Sequence, residues 1–132
     1  VKNILLYIEP SSKVEQISHY SMNLAKPTEA RVFVLTVIKS PAPEIKSRCE
    51  EQAWKRLYEV EEDAFEFGIK TSLLLEEMEK IDQDKLTGKI LELCKMFHID
   101  TLIVSSDATI NFKKLVTTMT IPVIIVPYNQ NP

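Results

Sequence analysis

The sequence predicts one α/β domain spanning residues 1–132, an open parallel sheet with helices on both faces. Three observations lead there. Short apolar runs read as strands covered on both faces, longer segments carry apolar residues at helical spacing, and the two kinds of segment alternate along the chain. Each right-handed crossover then lays its helix against a face of the sheet.

The first strand is Asn3 to Ile8, NILLYI, closed by Glu9 and Pro10. Ser11 and Ser12 are N-cap candidates for the first helix, and Glu15 completes a capping box with Ser12. Val14, Ile17, Ser21, Leu24 and Ala25 recur at helical spacing until Pro27 stops the run. RVFVLTVI, 31–38, is the second strand, and the prolines of KSPAPE favour an extended loop after it. Glu44 to Phe67 is the longest helix, with Ile45, Cys49, Ala53, Leu57, Val60, Ala64 and Phe67 on one stripe. Trp54, Tyr58 and Phe65 flank that stripe. They are expected to cover more of the sheet, a partner surface being the alternative. Gly68 is placed to end the helix in the left-handed conformation. IKTSLLLEE supplies the third strand, and Asp82 or Asp84 caps a third helix carrying Leu86, Ile90, Leu93, Cys94 and Phe97. DTLIVSS is the fourth strand; the stretch VSSDATINFKKLV turns into a short helix, and IPVIIVP is the fifth strand.

Composition excludes several classes of function. A formal net charge of −3 offers no broad cationic field for nucleic acid or anionic lipid. The longest apolar runs fall far short of the roughly 20 residues that span a bilayer, so no membrane insertion is expected. Immediate entry into the first strand leads us to expect no signal peptide. Cys49 and Cys94 are lone thiols at apolar helical positions, which suits packing in a reducing cytoplasm. Val1 at the first position leaves open a processed protein or a domain of a longer one.

Several segments together resemble the universal stress protein family over essentially the whole chain. They are KNILLYIEPSS, the second strand ending VLTVI, the long second helix, the FHIDTLIVSS entry into strand four and the closing TTMTIPVIIVP. The resemblance implies a five-stranded parallel sheet in the order 3-2-1-4-5, the adenine nucleotide alpha hydrolase-like architecture. It places any nucleotide where that order reverses, above the carboxyl ends of strands one and four. Nucleotide-binding members end strand one with an aspartate near the adenine, flank the base with a valine on strand two and wrap the phosphates in a glycine-rich loop. Here Glu9 stands at the aspartate position, Val37 matches the valine and Ser106 lies near the loop's first glycine. An alternative reading of Glu9 is a solvated carboxylate favoured by the next helix's N-terminal dipole.

The phosphate loop departs from the family. VSSDATINFKKLV contains no glycine, and only fifteen residues separate Ser106 from Pro122, too few for the family's loop and its helix. Glycines there permit positive φ and let amides approach an anion, which Ala108 and Thr109 cannot reproduce. Thr109 is the remaining candidate for a phosphate contact, with Lys113 and Lys114 one turn on, but Asp107 sets a like charge in the same turn. The favoured role of Thr109 is to cap the last helix. The degenerate nucleotide site is thus Glu9, Val37, Ser106 and Thr109, with no cofactor expected. The alternative ligand is adenosine, AMP or another small molecule lacking a triphosphate.

Other chemistry finds little support. With two glycines, Gly68 and Gly88, no Walker loop, dinucleotide fingerprint or nucleophile elbow can form. His19 and His98 have no serine or cysteine nucleophile at a suggestive spacing, so no catalytic residue is assigned. EEMEKIDQD, 76–84, lacks the ligand alternation and glycine of a calcium loop and reads as a solvated acidic loop; no metal is expected.

In the 3-2-1-4-5 order the last strand is an edge. Val123, Ile124, Ile125 and Val126 are apolar on both faces, and an unpaired edge invites another chain. The resemblance implies antiparallel pairing of two subunits there in a symmetric homodimer. The competing cover is the tail YNQNP. The functional expectation is a cytoplasmic, non-enzymatic, dimeric stress-response or regulatory binding module. A soluble regulatory domain of a larger transporter or sensor is the alternative.

Overall fold

Strands β1 (Asn3–Tyr7), β2 (Arg31–Lys39), β3 (Thr71–Met78), β4 (Thr101–Ser105) and β5 (Val123–Val126) form one sheet. All its pairings are parallel, in the order β3-β2-β1-β4-β5. The computed structural model describes residues 1–40 and 42–128, so Pro41 and most of the tail YNQNP, with the competing edge cover it offered, lie outside the described residues. Helices α1 (Glu15–Ala25) and α2 (Pro43–Phe67) pack on one face, α3 (Gln83–Met96) and α4 (Phe112–Thr118) on the other. No helix among the described residues is long and apolar enough to cross a membrane.

The period of two along each strand divides its side chains between two cores. Ile4, Leu6, Ile8, Val32, Val34 and Ile103 meet Ile17, Met22, Leu57 and Val60 beneath α1 and α2. Leu5, Tyr7, Leu35, Val37, Leu102 and Val104 meet Leu86, Ile90, Leu93 and Leu115 beneath α3 and α4. The central β1 is buried from Ile4 onward, which is why its sequence reads as a continuous apolar run.

Two expectations about helix ends hold. Gly68 ends α2 with φ of 71°, and the Asp82 side chain caps α3 by accepting from the Asp84 amide at 2.8 Å and the Lys85 amide at 3.4 Å. Those bonds, that of Asp84 first, hold the Asp82 carboxyl below its usual range. Burial pushes the Cys94 thiol up to about 11.

The expected Ser12–Glu15 capping box does not form. The Ser12 amide bonds the Glu9 carbonyl at 3.1 Å in a turn, and α1 begins at Glu15 after Val14, with no side-chain cap. Val14 is 3% exposed, so burial of its side chain sets the helix entry in place of a hydroxyl. The α2 stripe is also shorter than its periodicity suggests. Ala53, Leu57, Val60 and Ala64 are buried, but Ile45 is exposed and Cys49 half-buried. Nor do the flanking aromatics all cover the sheet: Trp54 is half-buried against the core, whereas Tyr58 is 55% and Phe65 85% exposed. They lie on the side of α2 where the sheet ends at β3.

Asp100 ties the entry of β1 to that of β4. Its carboxylate accepts from the Lys2 amide at 2.7 Å and the Asn3 amide at 3.1 Å. Burial pushes this carboxyl up, but those two bonds and one from the Thr101 hydroxyl outweigh it and leave it below the ordinary value. A lowered folded value means that its stabilisation is complete above the unfolded value of about 4 and disappears as pH falls through the folded one. Asp100→Asn should therefore unfold more readily than the parent at neutral pH, and the two should converge below about pH 4. Equal denaturation midpoints at pH 7 would contradict this.

The hydroxyl of Thr36 is fully buried in β2 and has no hydrogen-bond partner among the described residues. Thr36→Val should raise stability by about 1 kcal/mol, read as a higher urea midpoint at unchanged slope. A lower midpoint would show that the hydroxyl is satisfied.

Candidate functional site

The order of the sheet reverses between β1 and β4, and the crevice above their carboxyl ends is the expected ligand position in an open α/β sheet. Glu9 follows β1 directly, on the Tyr7 side of the strand, and the turn 106–110 follows β4. The Glu9 carboxylate crosses the crevice. Both of its oxygens accept from the Thr109 amide at 3.1 Å, and one also accepts from the Thr109 hydroxyl. Behind it, the Tyr7 hydroxyl is held well above its ordinary pKa by burial first, then by the charge of Glu9 and a hydrogen bond to it.

Other side chains occupy the rest of the turn. The Ser105 hydroxyl donates to the Asp107 carboxylate, and the Ala108 amide to the Ser105 carbonyl at 3.1 Å. Gln83, in the first turn of α3, donates through Nε2 to the Thr109 carbonyl at 2.9 Å and accepts through Oε1 from the Asn111 amide at 2.8 Å. Asn111 caps α4 by accepting from the Lys114 amide at 3.1 Å, and Lys114 pairs with Asp84. A backbone turn that would present free amides to an anion thus has those at Ala108, Thr109 and Asn111 already engaged by the chain itself.

The four nucleotide-site candidates separate accordingly. Glu9 and Thr109 meet, but as partners of each other. The expectation that Thr109 caps the last helix is corrected: its hydroxyl is engaged by Glu9, and the cap falls to Asn111 two residues later. Ser106 turns toward β5, its amide bonding the Val126 carbonyl at 2.9 Å and its hydroxyl accepting from the Tyr128 amide at 2.7 Å. Val37 is buried at 4% exposure in the core beneath α3. The cavity left among Glu9, Ser12, Lys13, Ser105, Asp107 and Ala108 is about 10 Å³. That holds one water, whereas pockets for small organic ligands start near 300 Å³.

A larger groove, about 380 Å³, runs between α1 and α2 and is lined by Glu15, Ser18, His19, Glu59, Asp63 and Glu66 among others. Asp63 accepts from the Ser18 hydroxyl at 2.7 Å and lies 3.0 Å from His19 Nε2. Periodicity gave no sign of this junction, since it joins two helices far apart in sequence. Ser18 and His19 both turn to Asp63 and no bond joins the serine hydroxyl to the imidazole among the described residues, so the three are not arranged as a nucleophile and its base. Among the described residues no three His, Cys, Asp or Glu side chains converge as a metal site would need.

No protein-family profile and no curated protein sequence matches the chain. Solved structures of universal stress proteins do match its fold. One from Burkholderia pseudomallei is 15% identical with a TM-score of 0.79, covering 96% of each chain. One from Archaeoglobus fulgidus, in complex with dAMP, is 13% identical with a TM-score of 0.75, over 96% of this chain and 98% of that one. A third, from Arabidopsis thaliana with AMP bound, is 14% identical with a TM-score of 0.74, over 99% and 94%. The chain therefore has the universal stress protein-like fold that the resemblance of its sequence had implied.

Glu9→Ala removes every bond across the crevice and should lower stability by about 1–2 kcal/mol. In Glu9→Asp, one methylene shorter, most of that loss should persist. Chemical denaturation checks both, and a Glu9→Ala protein as stable as the parent would contradict the bridge.

Proposed function

We propose that this chain is a universal stress protein-like binding module that does not take ATP, carries out no catalysis and acts through contacts with other protein surfaces. The observation that carries the reading is the Glu9 carboxylate on the Thr109 amide and hydroxyl. An internal anion holds the donors that a phosphate would need, so a triphosphate must displace it against the repulsion of Glu9 and Asp107. The absence of glycine from the turn and the short span from Ser106 to Pro122 support the same reading, since neither leaves backbone to wrap a phosphate chain.

The second reading is a nucleoside or mononucleotide ligand of the kind held by the Archaeoglobus and Arabidopsis proteins. Burial of Val37 speaks against it, because a base would have little of that side chain to rest on. Calorimetric titration with ATP, AMP and adenosine separates the two. No heat from any of them up to millimolar concentration is the expected result. Micromolar ATP binding would overturn the proposal, and binding of AMP or adenosine alone would favour the second reading.

Self-pairing through β5 belongs to this proposal. Val123 and Ile124 are half-buried and Val126 is buried within the subunit, which leaves Ile125, 41% exposed, as the apolar residue a partner strand would cover. Ile125→Lys should therefore lower the mass of the parent assembly in light scattering at tens of micromolar without loss of fold. A parent that is monomeric at tens of micromolar, or a variant of unchanged mass, would contradict β5 pairing.

A further inference from the structure

The other edge of the sheet is the longer one. β3 runs eight residues, TSLLLEEM, without proline, glycine or lysine, and its outer backbone groups have no strand beside them. β5 has four residues between Pro122 and Pro127. Proteins commonly blunt an edge by shortness, proline or charge, and β3 carries only the charges of Glu76 and Glu77 near its carboxyl end. Above it lies the exposed side of α2, where Tyr58, Phe65, Glu61 and Glu62 form an open groove of about 540 Å³ with Ile69 and Thr71.

We propose that this β3–α2 edge docks a second copy of the same chain, β3 against β3 and α2 against α2, both antiparallel about one two-fold axis. The charges of α2 select that occupant. The cations Lys46, Arg48, Lys55 and Arg56 precede residue 57, interspersed with Glu44, Glu50 and Glu51, whereas Glu59, Glu61, Glu62, Asp63 and Glu66 follow without a cation. Arg48 and Lys55 form no ion pair among the described residues, and neither do Glu61 and Glu62. An antiparallel copy sets the unpaired Lys55 opposite the unpaired acid Glu61, twice over, and keeps the acidic second halves of the two helices apart.

The geometry closes on the same arrangement. Antiparallel edge pairing needs an axis perpendicular to the sheet, which keeps both α2 helices on one face. Strands lie about 4.8 Å apart, so a helix over the β2–β3 seam sits about 5 Å from the new axis and the two α2 helices about 10 Å apart, a normal packing distance. At about 1.5 Å of rise per helical residue and 3.3 Å per strand residue, the middle of β3 is level with Tyr58. An axis there brings Tyr58 to its own copy, Lys55 to Glu61 and the turn around Ile45 to the groove at Ile69. In β3 the same axis pairs Leu73 with Leu75, Ser72 with Glu76 and Thr71 with Glu77, so no like charges face each other.

This contact is separate from pairing at β5, which lies at the opposite end of the strand order. The test therefore uses the Ile125→Lys background, and sedimentation velocity over a concentration series reads the mass. Ile125→Lys should still associate to a dimer at high concentration. Adding Lys55→Glu should weaken that dimer about tenfold, since the axis repeats the pair twice. Adding Glu61→Lys to Lys55→Glu should restore it. All three substitutions are at exposed positions, and circular dichroism confirms that the fold is kept. An Ile125→Lys protein that stays monomeric throughout overturns the proposal and leaves the face to a different partner. So does a dimer indifferent to Lys55→Glu, or one that the charge swap does not rescue. None of these outcomes bears on ATP, so the nucleotide reading stands or falls separately.

Discussion

The site depends on one carboxylate. Glu9 leaves the end of β1 and reaches the turn beyond β4, two segments 100 residues apart in sequence, and binds the Thr109 amide and hydroxyl at the point where the sheet order reverses. In an open α/β sheet the same point offers amides to a ligand anion. Here the anion is part of the chain. Neighbouring contacts accompany it: Gln83 holds the carbonyl side of Thr109, Asn111 caps α4, and among the described residues the cavity beside Glu9 has room for no more than a water.

An internal anion also explains how a turn without glycine is stable there. A ligand phosphate would require the backbone to approach it closely from several directions, which side chains at Ala108 and Thr109 obstruct. A glutamate carboxylate asks less, one amide and one hydroxyl on a single residue, and its length lets it cross the crevice where aspartate would stop short. Asp107 then faces Ser105 and not a bound phosphate, so its charge is accommodated without a ligand.

Much of the fold was legible because it rests on period and burial. The apolar runs at 3–8 and 31–38, the part of the α2 stripe from Ala53 to Ala64, Gly68 with its positive φ and the Asp82 cap are all local features, and the structure contains each of them. What escaped was set by distant partners. The Ser12 cap gave way to burial of Val14 in the core beneath α1 and α2, and the Thr109 cap to a carboxylate from the end of β1. Tyr58 and Phe65 have the spacing of core residues, but the sheet ends at β3 and nothing lies beneath them. Glu9 and Thr109 were both legible as candidates for one site. That each would satisfy the other was not, because nothing local to either residue announces the contact.

The central claim is that the Thr109 amide belongs to Glu9 and not to a ligand. Amide hydrogen exchange at Thr109, followed with and without magnesium ATP, tests it directly. The account predicts an amide protected well beyond the rate of a free turn, unchanged by ATP and released in Glu9→Ala. A Thr109 amide that exchanges freely in the parent and becomes protected when ATP is added would contradict it.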